Sequence, residues 1–470
     1  MKHSRLKYHL NFFLLLLIFS LTVSCTKSNY PEKSKIKLEY AQVNDGVMVT
    51  AFPLNAEEVI IPAFVTINNQ ELPVTGISNS INASTVKNLH IPSSVNYIEP
   101  DAFANANISR IYIDNLSDWC KINFLNSGSK ICYSNPINEN TKLLVNGVEI
   151  SNTLSIPDDV TLISPYAFQR LNIDHLILGK NVKEISDNAF RGCKGLREVE
   201  GGENVEKIGN YTFQDTDIKK IALRSPIKSI GNFAFPESLK KIYIPSSVQQ
   251  IGAQSFPYVE NIAIDSFDNW VKIEYVAFPD NETPELSLDK YPPYLCAHNF
   301  SINDEIINSI SLPESIKSIN DYAFYYAKIK KLELPETLNY MGPKAFDYCH
   351  DLDWLTLPGE LKTITGFNNC PHLGAVFLKE GIERGEKCFY NCPKLYWFKF
   401  PESLKYIDFT FFNGTNAINV LCSAKTPPEV FLQNMDPVFS PTHFLYAPTK
   451  SIKSYSNAPG WSNFKFIEPL

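Results

Sequence analysis

FRGC, FDYC, FNNC and FYNC place Cys193, Cys349, Cys370 and Cys392 each three residues after a phenylalanine. Thiols at regular spacing could ligate a metal, pair as disulfides or act as nucleophiles. A metal would need histidines or carboxylates at ligand spacing beside them, and none accompanies them. The chain holds ten cysteines. Setting aside Cys25, treated below, an odd number remains, which is no complete disulfide framework. The four therefore read as one small apolar core slot used once per repeat. Cys388 falls in the slot of Ala189 and Ala345 and reads the same way.

Nothing else supplies a catalytic set. There is no phosphate-binding P-loop, no G-x-S-x-G and no H-E-x-x-H. His90, His175, His298, His350, His372 and His443 are scattered, and His90 reads as a solvated residue on the outside of a strand. No carboxylates pair at a recognisable spacing. The chain is read as non-catalytic, with no metal site and no cofactor.

What positions these residues is a repeat. The pattern [LIV]-x-x-[LIVF]-x-[LIVF] occurs as VKNLHI, IDHLIL, LKKIYI, LDWLTL, LGAVFL and LYWFKF, among other copies. A V-x-x-I pair follows each copy, and then Phe five residues after the Ile, as in Val182, Ile185 and Phe190. IPSSVNYIEPDAF at 91–103 and IPSSVQQIGAQSF at 244–256 are one structural part used twice. The alternation predicts a short strand with one buried face. One such unit cannot bury that face alone, so copies must stack into a continuous core. Proline after the strand, as at Pro92 and Pro245, ends the ladder. Gly209, Gly231, Gly252 and Gly342 recur four residues before the Phe, where a tight bend would favour a residue free of Cβ clashes. Near Phe389 the pattern shortens, with Arg384 in place of the usual Ile.

The motif IPxSVxxIGxxAFxxCxxL resembles the BspA-like leucine-rich repeat of Bacteroidetes surface proteins, over residues 59–425. The resemblance implies a β-rich solenoid: a curved leucine-rich-repeat array of short parallel strands with N- and C-terminal caps. It also implies no asparagine ladder. NLSDWCKINF and SFDNWVKIEY open two excursions that match the family's habit and read as degenerate rungs. Family members are implicated in adhesion to host matrix proteins, other bacteria or surface glycans.

A stacked ladder aligns its outward residues from rung to rung. Lys220, Lys241 and Lys331 fall in the first outward column, which Trp354, Ala375 and Trp397 continue. Tyr243, Glu333, Thr356, Phe377 and Lys399 fall in the second. Trp354, Phe377 and Trp397 would therefore share one face, with Tyr243 and the lysines on earlier rungs. Clustered exposed aromatics suit carbohydrate stacking or a protein hot spot. Strand propensity alone also explains them, and the lysines also read as solvated charge.

Lys2, Arg5 and Lys7 precede an apolar run from Phe12 to Val23, too short to span a bilayer and typical of a signal-peptide core. It ends in LTVSC, which resembles a bacterial lipoprotein signal with Cys25 as the acylated residue. Removing 1–24 takes three basic residues and no acid, moving the formal charge from −7 to −10. Nucleic acid is thereby a poor partner. The organisation expected is 1–24 signal peptide, 25–35 flexible tether, and 36–77 β cap with a first degenerate rung. Repeats occupy 78–425, with degenerate rungs at 115–153 and 266–309, and a C-terminal cap occupies 426–470. The function expected is a monomeric outer-membrane lipoprotein, its orientation open between cell surface and periplasm. It would touch the membrane through its lipid alone. Its ligand would be a host extracellular-matrix protein, a glycan or a neighbouring surface protein. The alternatives are a scaffolding envelope protein and, remotely, a glycan-degrading enzyme.

Overall fold

The computed structural model describes residues 37–128, 131–221, 226–276, 298–408, 411–416, 418–431, 443–464 and 466–470. The chain divides into two compact units, Met1–Ile150 and Ser151–Leu470. Cys25 and the apolar run before it lie outside the described residues. Among those residues no helix is long and apolar enough to cross a membrane.

Both units are parallel β-solenoids. In the first, Glu58–Ile60, Asn88–Ile91, Arg110–Ile113 and Lys142–Val145 form consecutive parallel rungs. A second sheet, from Gly46–Ala51 through Gln70–Ile77 and Tyr97–Ile98 to Asn123–Phe124, runs along the return side. In the second unit, Thr153–Ser155, His175–Leu178 and Glu198–Gly201 pair in parallel. The ladder resumes with Lys241–Ile244, Asn261–Ile264 and Asn299–Ile302. A six-stranded sheet runs from Trp354–Leu357 to Phe466–Pro469. Two-residue strands such as Glu184–Ile185 and Lys207–Ile208 form the return ladder.

The recurring landmarks fill the space between the two ladders. Phe168, Phe190, Phe213 and Phe235 stack face to face, with centroids 5.4, 5.7 and 5.9 Å apart. Phe324, Phe346, Phe367 and Phe389 repeat the arrangement at 4.8, 5.0 and 5.8 Å. All are buried, and each such burial is worth about 1.5–3 kcal/mol. The twin stretches match in detail. The Ser93 backbone N–H donates to Asp114 at 3.0 Å, and that of Ser246 donates to Asp265 at 3.0 Å. Both excursions make a short helix, Leu116–Trp119 and Phe267–Trp270, that buries its tryptophan. Each then adds a rung strand that folds back as an antiparallel hairpin.

The recurrent glycines stand where a Cβ would clash, as expected, but the left-handed conformation of the bend is not theirs. That role falls two residues later to Tyr211 (φ 55°), Phe233 (φ 52°), Gln254 (φ 45°) and Lys344 (φ 58°). Holding a side chain there costs roughly 1–2 kcal/mol. Tyr211 and Phe233 offset part of it by stacking at 5.1 Å. The glycines are needed because adjacent rungs nearly touch: a Cβ on Gly231 would lie 2.5 Å from both the Asn210 nitrogen and the Gly209 carbonyl carbon.

Two expectations need correction, and the first concerns Arg384, which is not in the isoleucine slot. Gly385 is the register partner of the buried Ile364. The ring of Phe411 fills the space, 2.2 Å from where a Gly385 Cβ would stand. Arg384 instead lies over the Tyr406 ring at 4.3 Å.

The second correction is that a short asparagine ladder does exist. Asp187 accepts from the Asn210 backbone and side chain at 2.7 and 3.0 Å. Asn210 accepts from Asn232 in the same way at 2.8 and 3.1 Å. Further along, Asp347 accepts from the Asn368 backbone at 2.9 Å. Burial pushes the Asp347 carboxyl up to about 6, although the Asn368 hydrogen bonds and the Lys344 charge pull it down.

Gly231→Ala is expected to lower stability by about 1–3 kcal/mol, the usual cost of overpacking a filled site, as a reduced urea midpoint with an unchanged m-value. Asp347 makes a pH-dependent contribution of definite sign. Its pKa is raised from an ordinary 3.8, so between about pH 4 and pH 6 the folded chain keeps a proton that the unfolded chain releases. That contribution to stability is lost as pH rises through the window. Asp347→Asn keeps the acceptor for the Asn368 N–H and removes the loss. The variant should gain on the wild type in urea unfolding from about pH 4 to about pH 7, and a constant difference would refute the assignment.

Candidate ligand-binding face

The six-stranded sheet of the second unit points alternate residues inward and outward. Leu355, Val376, Phe398, Val420 and Leu445 are fully buried on the inner side. The register aligns Trp354 with Ala375, Trp397, Asn419, Phe444 and Phe466 on the outer side. The second outward column is Thr356, Phe377, Lys399, Leu421, Tyr446 and Glu468. Trp354, Phe377 and Trp397 therefore do lie on one face. Trp354 is 42% exposed, while Phe377 and Trp397 are half-buried.

The face is larger than the repeat pattern showed. Phe444, Tyr446 and Phe466 extend it, and Phe444 stacks on Phe466 at 5.0 Å. These strands fall in the region assigned to the C-terminal cap, where the L-x-x-L-x-L spelling fades. The alternation in HFLYAP was the available signal. Ala375 is the one small side chain between Trp354 and Trp397 in their column, so two indoles stand on either side of a methyl-floored gap. Tyr396, 60% exposed, covers the neighbouring Gly374.

Tyr243 and the lysines sit elsewhere in the same unit. Lys220 and Lys241 are adjacent bridge partners and line one groove with Glu198, Glu200 and Tyr243. The Lys241 ammonium pairs with Asp304 at 2.8 Å, and the Tyr243 hydroxyl donates to Asp265 at 2.7 Å. Lys331 pairs with Ser309 in a separate two-stranded ladder. The lysine column is thus interrupted rather than continuous.

One constellation escaped the sequence analysis. His175 and Glu198 are register partners on neighbouring strands, and Glu200 is partnered by Ile177 two residues along. One ligand atom from each of His175, Glu198 and Glu200 falls within 4.8 Å of the others. The signal was the offset of one rung between His175 and Glu198, which is invisible when each histidine is considered alone. His90 is also misjudged by sequence. It is buried and stacks on Tyr112 at 4.1 Å, with Nε2 3.1 Å from Glu58. Burial holds its pKa below the ordinary value, against the pull of Glu58.

The thiols take the core slot expected of them. The eight described cysteines are all buried. Cys193, Cys349, Cys370 and Cys392 each donate to the carbonyl of the phenylalanine one rung earlier: Phe168, Phe324, Phe346 and Phe367, at 3.1, 3.3, 3.4 and 3.3 Å. Burial pushes the Cys193 thiol up to about 12 and Cys422 up to about 11, and raises Cys349, Cys370 and Cys388 well above the ordinary range. Such groups are poor nucleophiles and poor metal ligands.

Fold and site together define a leucine-rich-repeat solenoid with an aromatic outer face. A model of the BspA type leucine rich repeat region matches six copies, over residues 64–173, 161–285 and 297–419. The chain belongs to the BspA-type leucine-rich repeat family. It is similar to a leucine-rich repeat protein from Bacteroides ovatus ATCC 8483 at 18% identity, covering 92% of this chain and 98% of that one, with a TM-score of 0.47. A leucine rich cell surface protein from Faecalibacterium prausnitzii A2-165 is 18% identical over 84% of this chain and 95% of its own, with a TM-score of 0.43. The pneumococcal vaccine antigen PcpA is 15% identical over 96% and 98%, with a TM-score of 0.40. The family assignment rests on the six-copy match and not on these likenesses. No curated protein matches the sequence.

The eight described thiols should resist iodoacetamide in the native chain and react once urea unfolds it, as followed by peptide mass mapping. Rapid native labelling of Cys193, Cys349 or Cys370 would contradict the core assignment.

Proposed function

We propose that this chain is a non-catalytic recognition protein of the cell envelope, held at the membrane by a lipid on Cys25. Its ligand, a protein or glycan of the surroundings, binds the aromatic face of the second unit. The observation that carries this reading is the outward column of Trp354 and Trp397, flanked by Phe377, on a rigid parallel sheet. Large aromatics held at fixed spacing give contact area at little entropic cost, the pattern of hot spots. The acidic net charge, −7 for the whole sequence, favours such partners over nucleic acid.

Residues 26–470 should bind one or more members of an array of matrix proteins and glycans. Trp354→Ala combined with Trp397→Ala should abolish that binding and leave the melting temperature nearly unchanged, because neither indole is part of the inner core. Unaltered affinity in the double variant would remove this face from the function.

A further inference from the structure

We infer that His175, Glu198 and Glu200 form a binding site for one first-row divalent cation of the zinc type. The three side chains leave two hydrogen-bonded neighbouring strands on the same outward face. Their ligand atoms already lie within 4.8 Å of one another. A zinc ion about 2.0–2.2 Å from each nitrogen and oxygen ligand draws such atoms together by roughly an ångström. Both glutamates are exposed, so their side-chain torsions can supply that closure without moving the backbone.

The imidazole carries the argument furthest. Nε2 of His175 has essentially no contact with solvent and makes no hydrogen bond. It lies 3.4 Å from the Glu200 carboxylate. A desolvated ring nitrogen that makes no hydrogen bond is costly, and a cation between it and the carboxylates satisfies it. The donor set also balances charge, because a neutral imidazole and two carboxylates neutralise a dication. Imidazole selects zinc-like ions, whereas magnesium and calcium call for oxygen ligands alone. Arg197, Lys219 and Lys220 line the groove that Glu198 and Glu200 also line. Their charges oppose the cation and favour a site of moderate affinity, open on its solvent side.

The site is separate from the aromatic face, so its test stands whether or not that face binds a ligand. The whole exported chain, free of any affinity tag and stripped by a chelator, is titrated calorimetrically with Zn²⁺. The wild type should take up one equivalent more than His175→Ala or Glu200→Gln, or bind it about tenfold or more tightly. A large excess of Mg²⁺ or Ca²⁺ should not displace it. Zn²⁺ should raise the melting temperature of the wild type beyond that of either variant, and the metal-free melting temperatures should agree. Should His175→Ala fold poorly, the exposed Glu200→Gln carries the comparison. Identical Zn²⁺ isotherms in wild type and variants would overturn the proposal and leave His175 as an ion-pair partner of Glu200. Displacement by Ca²⁺ would also overturn it, since the imidazole would then not be a ligand.

Discussion

The structure depends on register between neighbouring parallel strands. Each rung hydrogen-bonds only to the rung before and the rung after, and the pairing sets like residue upon like. Stability is then a sum of rung and interface contributions. The interface contributions are explicit here. A phenylalanine stacks on the next phenylalanine, a thiol reaches the carbonyl one rung back, and an asparagine accepts from the next asparagine. None of these contacts is strong alone. They recur because the geometry that allows one allows all.

The same register writes the outer surface. Side chains two residues apart on one strand, or directly opposite on the next, share a face whatever their separation in sequence. His175 and Glu198 are brought side by side in that way, and Trp354 and Trp397 are aligned in one column two rungs apart, with Ala375 between them. In both cases an outward patch is assembled from single residues contributed by successive copies. The periodic interior constrains the inward positions and leaves the outward ones under no such constraint.

The repeat, the inner face and the core thiols were legible because they are periodic, and periodicity reports burial directly. Legibility failed where a residue's role is set by a neighbour on another rung. Gly231 was legible as a site where a Cβ would clash, but the backbone of Gly209 and Asn210 on the rung before, which presses against it, was not. Arg384 resembled a broken isoleucine slot, because nothing in the pattern announces that Phe411 fills the space over Gly385. His90 resembled a solvated histidine until Tyr112 was seen to cover its ring. The aromatic face was foreseen for three rungs and missed for Phe444 and Phe466, where the spelling of the repeat decays while the strand pairing continues.

The matching turns at Ser93–Asp114 and Ser246–Asp265 carry one further implication. Copies so alike in spelling and in bonding are interchangeable modules, and the gene segments that encode such modules can recombine unequally. Loss or gain of a whole copy would leave the interior contacts equivalent and would lengthen or shorten each outer column by steps of about 4.8 Å. The length of each outer column is therefore a property that lineages of this protein can adjust in discrete increments, without redesigning the interior.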